Sequence, residues 1–258
     1  MSVLELPEPP GWRGGRVFLS LAISALFGAA VFYAYWAMVA AIHGNYLSFF
    51  VAICYVVALA LGFGTPMALV ALGRTAARTT SDATGFTVLP DQRFSVFVLI
   101  GVVAMIPSSL VLAVFAPFGA IEFANSHVVK AGWTFAAGLV ALTGISGLIT
   151  TWRRGGIGHL KLAPTTVEVA DILATRVFAW DDVVDVADHA ESRKVRRAVV
   201  IRRKDGREEI LSVADIYLPG GVALYWLVRH YWRHPEDRIE LVDSRVAERL
   251  RDGRFDLE

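Results

Sequence analysis

The chain has 258 residues, 25 Lys+Arg against 24 Asp+Glu, a net charge of +1 and 55% hydrophobic residues. So balanced a charge supplies no field to recruit a polyanion, which argues against nucleic-acid binding; the single cysteine, Cys54, excludes an intrachain disulfide and a thiolate metal cluster. The charge is unevenly spread: residues 1–151 hold six Lys+Arg and five Asp+Glu, whereas residues 152–258 hold nineteen of each, the pattern of a chain written for lipid first and water second.

The first apolar run, 17–42, contains no charged residue. At 1.5 Å per residue it reaches roughly 39 Å, enough to cross a hydrocarbon core of ~30 Å with some tilt, and it is too long for the apolar core of a signal peptide. His43, Gly44 and Asn45 separate it from a second run, 46–72, so the two form a tight helical hairpin. Gly62, Gly64 and Pro66 lie in the second half of that run, and Pro66, lacking a backbone donor, is expected to kink the helix. The third run, 94–118, has Pro107-Ser108-Ser109 near its middle, where serine hydroxyls can satisfy carbonyls that the proline frees. The fourth, 133–152, opens and closes on tryptophan, which suits the two membrane interfaces. Ala25/Ala29, Ala30/Ala34 and Ala137/Ala141 have the spacing that lets helix backbones approach closely.

Arg13 and Arg16 precede the first run, Arg74, Arg78 and Arg93 lie between the second and third, and Arg153 and Arg154 follow the fourth. The other side has Lys130, offset by Glu122. The excess of arginine on one side places both termini in the cytosol of a multi-pass protein of the cell (inner) membrane, and two cytosolic termini require an even number of spans. No Asp, Glu, Lys or Arg falls inside any run, which counts against an ion-coupled transporter or voltage sensor. The loop between Arg74 and Arg93 includes Gly85-Phe86-Thr87-Val88-Leu89 ahead of Pro90-Asp91, a short strand entering a turn and a segment expected to dock on the C-terminal domain. The loop Gly119–Gly132 has no binding motif.

After Gly155-Gly156-Ile157-Gly158 the pattern turns to strands: 159–162, 167–170, 174–180, 183–186, 198–202 and 208–213, with Lys204-Asp205-Gly206 between the last two as a hairpin turn. The period then changes. Leu224, Leu227, Val228 and Tyr231 give one apolar face to a helix from Val222 to Trp232, stopped by His234-Pro235. A last helix, Leu241 to Arg251, carries the stripe Val242, Val246 and Leu250. Short antiparallel strands followed by a helix fit a partly open β-barrel capped at one end.

Four features recur together: Leu160-Lys161-Leu162-Ala163-Pro164, then Val177-Phe178-Ala179-Trp180-Asp181-Asp182-Val183, then Lys204-Asp205-Gly206, then the helix Leu224–Trp232. In this order they resemble the bacterial pleckstrin-homology-like domains, over about residues 155–233, and multispan actinobacterial membrane proteins that carry such a domain are similar overall. The resemblance implies a fold class: a four-helix transmembrane bundle, residues 1–154, followed by a cytoplasmic α+β domain, residues 155–258.

Candidate chemistry is sparse. Arg193, Lys194, Arg196, Arg197, Arg202, Arg203 and Lys204 place seven cations in twelve residues. Near an anionic inner leaflet each contributes roughly 1 kcal/mol, and the resemblance to pleckstrin-homology domains implies a headgroup-binding surface there; the competing reading pairs them with Asp185, Asp188, Glu191, Glu208 and Glu209. The run Asp181, Asp182, Asp185, Asp188 lacks the glycine and terminal glutamate of a calcium loop. His159, His189, His230 and His234 match no metal or catalytic motif. The expectation is therefore a non-enzymatic membrane protein, without metal or cofactor, whose cytoplasmic domain binds membrane lipids or a membrane-protein partner in a scaffold or assembly role; the alternative is a small transporter or channel with a regulatory domain. A reporter fused after Glu258 is expected to be active only in its cytosolic form, and activity of the exported form overturns this topology.

Overall fold

The computed structural model describes residues 6–12, 15–124, 127–154, 156–171, 174–192, 194–195 and 197–256. The chain divides into two compact units. A helical unit holds Leu19–Ala68 and Arg93–Gly155; a β unit gathers Met1–Phe18, Leu69–Gln92 and Gly156–Glu258.

The helical unit is built from α1 (Gly15–Ile42), α2 (Tyr46–Val57), a π-helical turn (Ala58–Gly64) running into α3 (Thr65–Ala71), α4 (Gln92–Phe115) and α5 (His127–Arg154). Four helical stretches are long and apolar enough to span a membrane: Leu19–Ile42, Tyr46–Ala71, Gln92–Phe115 and Ala131–Arg153. The α1–α2 turn is tight because Gly44 takes a positive φ of 70° and Asn45 caps α2, its side chain accepting from the Ser48 amide at 3.0 Å.

Pro66 disturbs its helix through the π turn that precedes it. The Thr65 amide donates to Ala60 O, one residue further back than in an α-helix, and the Thr65 hydroxyl donates to the same oxygen at 3.1 Å. This wider turn relieves the clash that a proline ring makes with the carbonyl four residues earlier. At the same level Gly62 meets Gly101 of α4, and a Cβ built on Gly62 would fall 2.1 Å from the Gly101 Cα. Ser108 donates to Ala104 O at 3.1 Å and Met105 O at 2.9 Å within the Pro107 region. Of the alanines read as packing positions, Ala30, Ala137 and Ala141 are buried, while Ala25 and Ala34 are exposed; the closest backbone approach belongs to the glycine pair. Near the α1–α2 turn Tyr33 stacks on Tyr55 at 4.8 Å, and Ile121 and Ala124 of the α4–α5 connection are fully buried.

The β unit holds two antiparallel sheets. The first has five strands in sequence order: β1 (Arg78–Asp82), β2 (Gly85–Leu89), β3 (His159–Leu162), β4 (Thr166–Ala170) and β5 (Thr175–Ala179). The second is β6 (Val183–Ala187), β7 (Val199–Arg203) and β8 (Glu208–Leu211). The expected strand at 85–89 is therefore one arm of a hairpin that extends the C-terminal sheet, β2 pairing with β3 at Phe86↔Leu162 and Val88↔Leu160. Its partner β1 reads Arg-Thr-Thr-Ser-Asp and has no apolar alternation to announce it. The sheets meet at a corner where Trp180 turns the chain from β5 into β6. They do not close into a barrel: β5 and β8 both end as sheet edges.

Helix α6 (Val222–Arg233) lays Leu224, Leu227, Val228 and Tyr231 into the shared core. A 3-10 segment (Pro235–Val242) leads to α7 (Arg245–Asp252). The last helix starts later than Leu241 because Asp243 turns the chain, accepting from the Arg245 amide at 2.8 Å, and Leu241 rather than Val242 is the fully buried residue there.

Two further segments complete this core. In the stretch before α1, Trp12 is 3% exposed, its indole donating to the carbonyls of Asp188 and Ala198 at 3.2 Å each, while Trp226 donates to Pro7 O at 3.0 Å. On either side of the β1–β2 hairpin, between α3 and α4, the Thr75 hydroxyl donates to Asp215 O at 2.8 Å and the Asp91 amide to Ile216 O at 2.9 Å. Residues 155–258 thus share their core with two segments the sequence reading assigned to residues 1–154. Phe86→Ala is expected to destabilise the β unit by about 3–5 kcal/mol, measured as a lower urea midpoint for tryptophan fluorescence in the detergent-solubilised full chain; an unchanged midpoint shows that the hairpin is not part of the cooperative unit.

Candidate functional site

A depression lies between β5 of the first sheet and the strands of the second. It has a volume of about 1030 Å³ and is lined by Asp171, Arg176, Val184, Glu191, Ser192, Arg202, Arg203 and the consecutive run Gly206–Ile210. It therefore follows the free edge of β8, with Arg176 of β5 on the far side.

Cross-strand partners share a sheet face. Arg176 lies opposite Val169 in the β4–β5 ladder, and Glu209 opposite Ile201 in the β7–β8 ladder. Val169 and Ile201 both belong to the core, so Arg176 and Glu209 face inward at the rim. The Arg176 guanidinium reaches Glu209 at 3.0 Å, and Arg203 approaches the same carboxylate at 3.6 Å while its guanidinium sits 5.3 Å above the Phe178 ring. Glu209 is 3% exposed. A carboxylate so buried is tolerated because two guanidiniums stand against it; these ion pairs close the core where no backbone ladder does.

The outer face is organised by Arg202 and Glu208, which lie opposite each other. Arg202 contacts Asp185 at 3.1 Å, Glu191 at 3.0 Å and Glu208 at 3.5 Å. Glu208 accepts from the amides of Glu191 and Ser192 at 3.0 and 3.1 Å and from the Ser192 hydroxyl at 2.5 Å. The Glu191 amide, followed by the Ser192 hydroxyl and amide, holds its carboxyl well below the usual range, at about 2.

The structure separates the cations that the sequence grouped. Arg193 and Arg196 lie outside the described residues. Lys194 and Lys204 are exposed and make no ion pair among the described residues. Arg197 turns away from the cleft: it has a positive φ of 49°, contacts Asp215 at 3.2 Å and Glu8 at 3.1 Å, and donates to Gly220 O at 2.9 Å. It belongs to the junction that holds the stretch before α1. Of the described cations in this group, Arg202 and Arg203 line the cleft. Sequence reasoning missed Arg176 and Arg207. Arg176 did leave a signal, since it sits two residues before Phe178 and so shares its inward face; an inward charge marks an unpaired strand edge.

Elsewhere, the rings of His230 and His234 lie 4.7 Å apart. His230 contacts Asp237 at 2.9 Å and His234 contacts Asp256 at 3.2 Å. Among the described residues no group of three His, Cys, Asp or Glu side chains is arranged to hold a metal ion. Comparison with protein-family models, with curated proteins and with solved structures finds no match.

Glu208 ties the β6–β7 connection to β8 only while ionised. Its folded-state pKa is depressed, so the stabilisation is present above the ordinary carboxylate value and is lost as pH falls from about 4.5 towards about 2. Glu208→Ala is expected to raise hydrogen exchange at the Glu191 and Ser192 amides about tenfold or more, with Val200 and Ile201 still protected. Unchanged exchange at 191 and 192 shows that the connection is held by other contacts.

Proposed function

We propose that this chain is a membrane-anchored scaffold protein whose β unit, facing the cytosol, receives a protein partner at the cleft between β5 and β8. The observation that carries this reading is the charge balance of the cleft. Arg176, Arg202, Arg203 and Arg207 line it together with Asp171, Glu191, Glu208 and Glu209. Arg176, Arg202 and Arg203 are each within 4 Å of at least two carboxylates, and Arg207 is within 3.7 Å of Asp205. A phosphate headgroup arriving there competes with carboxylates already in place, whereas a polypeptide, with donors and acceptors in equal number, suits a balanced polar surface.

The cytosolic placement rests on the arginines that flank the four candidate spans. The pleckstrin-homology-like reading of the β unit is supported by its two antiparallel sheets, the tryptophan corner at Trp180 and α6 packed on the core. It is a proposal about fold kinship and adds nothing to the argument about the site. A scaffold role agrees with spans that contain no charged side chain between Leu19 and Ile42 or between Tyr46 and Ala71.

Binding to anionic lipid of the inner leaflet is the second reading, and exposed Lys194 and Lys204 favour it. The two readings separate in nanodiscs containing full-length protein with a fluorophore on the β unit and spin-labelled lipid as quencher. If the partner reading holds, quenching is the same in zwitterionic and anionic discs and is unchanged in the Lys194→Glu, Lys204→Glu variant. Stronger quenching in anionic discs, abolished by that variant, replaces partner binding with leaflet binding.

A further inference from the structure

We infer that the partner docks by strand addition: an extended segment of another polypeptide pairs its backbone with the free edge of β8, and the cleft is the slot that this strand fills. The inference rests on the partner reading of the same cleft and specifies how the partner is held.

The β7–β8 ladder fixes which backbone groups are free. The Arg203 amide donates to Arg207 O at 2.9 Å, and the register pairs Ile201 with Glu209 and Val199 with Leu211. In an antiparallel ladder hydrogen-bonded pairs alternate. Arg207, Glu209 and Leu211 therefore direct their N–H and C=O groups at β7, and Glu208 and Ile210 direct theirs into the cleft. The β4–β5 ladder alternates in the same way across the slot. The Asp171 amide donates to Ala174 O at 2.9 Å and the Trp180 amide to Thr165 O at 3.2 Å, so Thr175, Val177 and Ala179 present their backbone groups away from β4. The β8 edge thus turns outward backbone groups along the depression, and the β5 edge does so beside Arg176, which lines its far side. Val184 is 53% exposed and lines the cleft with Ile210, giving alternate side chains of an incoming strand apolar ground.

The sequence of β8 also distinguishes the occupant. A second copy of this chain would pair β8 with its own mate, and the register that uses Glu208 and Ile210 of both copies sets Glu209 directly opposite Glu209, two carboxylates on one face. A different polypeptide carries no such penalty. A free anion is disfavoured by the carboxylates that already occupy the guanidiniums. The charge balance of the lining therefore matches a neutral, extended backbone.

Proline tests the backbone directly. At Ile210 it removes an N–H that points into the cleft and leaves the β7–β8 ladder its own bonds, which is where an edge strand tolerates proline. In cells expressing the full-length protein, a photo-crosslinking amino acid is placed at Arg207 and, separately, at Val177, and each adduct is mapped to its partner peptide. Strand addition predicts that both positions capture the same short segment of another protein. Ile210→Pro then lowers the adduct yield at least about tenfold, the loss of one or two backbone bonds, whereas Ile210→Val, which keeps the N–H and trims one methylene, lowers it several-fold less; equal urea midpoints show that the proline variant is folded. A yield insensitive to Ile210→Pro in folded protein overturns strand addition and leaves partner binding standing. Adducts only with a second copy overturn the choice of occupant. An absence of protein adducts at both positions overturns the partner reading itself. If the Ile210→Pro variant does not fold, Glu208→Pro, the other outward position, is read in the same way against Glu208→Ala, which loses the side chain and keeps the N–H.

Discussion

The β unit depends on a core that its C-terminal residues cannot complete alone. Phe86 and Val88, from the segment between α3 and α4, are fully buried against Leu160 and Leu162 of β3. Trp12 fills a further part of the core beside Tyr225, the two rings 6.1 Å apart and edge-on. Burying a phenylalanine contributes about 1.5–3 kcal/mol, a large share of the stability of any small domain. Removing these segments also uncovers one edge of β3 along its length, and an unpaired hydrophobic edge invites aggregation. The unit is therefore a product of three separate stretches of chain.

The junction that secures those stretches contains strain. Val213 has a φ of 60° and Arg197 a φ of 49°, conformations that cost a β-branched or long side chain of order 1–3 kcal/mol. They are adjacent in space, the Ala214 amide donating to Arg197 O at 2.9 Å. What offsets the strain is visible: Arg197 meets Asp215 and Glu8, Thr75 bonds to the Asp215 carbonyl, and Gly221 approaches Ala214 closely. The 69–92 stretch bonds to the backbone at 215 and 216 and the stretch before α1 meets Arg197, so the strained turn is held by the segments whose docking it permits.

Much of this was legible in the sequence, and for a physical reason. Long uncharged runs bounded by polar residues marked the helices to within a few residues, because that signal is summed over twenty or more positions. The β-branched runs at 167–170 and 199–201 and the Asp205-Gly206 turn marked β4, β7 and the β7–β8 hairpin, because strand alternation and turn chemistry are local. The polar strand β1 was not legible: Arg78, Thr79, Thr80, Ser81 and Asp82 form a strand only because β2 lies beside them, and β2 is ordered by pairing with β3, more than seventy residues away in sequence. The cleft was half legible. Arg202 and Arg203 stood out as a basic run, yet a run of charge does not say whether carboxylates will fold onto it, and here Asp185, Glu191, Glu208 and Glu209 do.

Arg202 and Arg203 are neighbours in β7, so their side chains emerge on opposite faces of the sheet. One cation goes to the rim of the core, where it shares Glu209 with Arg176; the other goes to the outer face, where it shares Glu208 with the backbone of Glu191 and Ser192. A basic pair that a linear reading places on one surface is split by the two-residue period of the strand, and each half is neutralised on its own side. The edge between them keeps its backbone groups, which ion pairing of side chains cannot satisfy. The chemistry left over at this site is consequently that of the main chain, and only another main chain presents donors and acceptors at the matching interval.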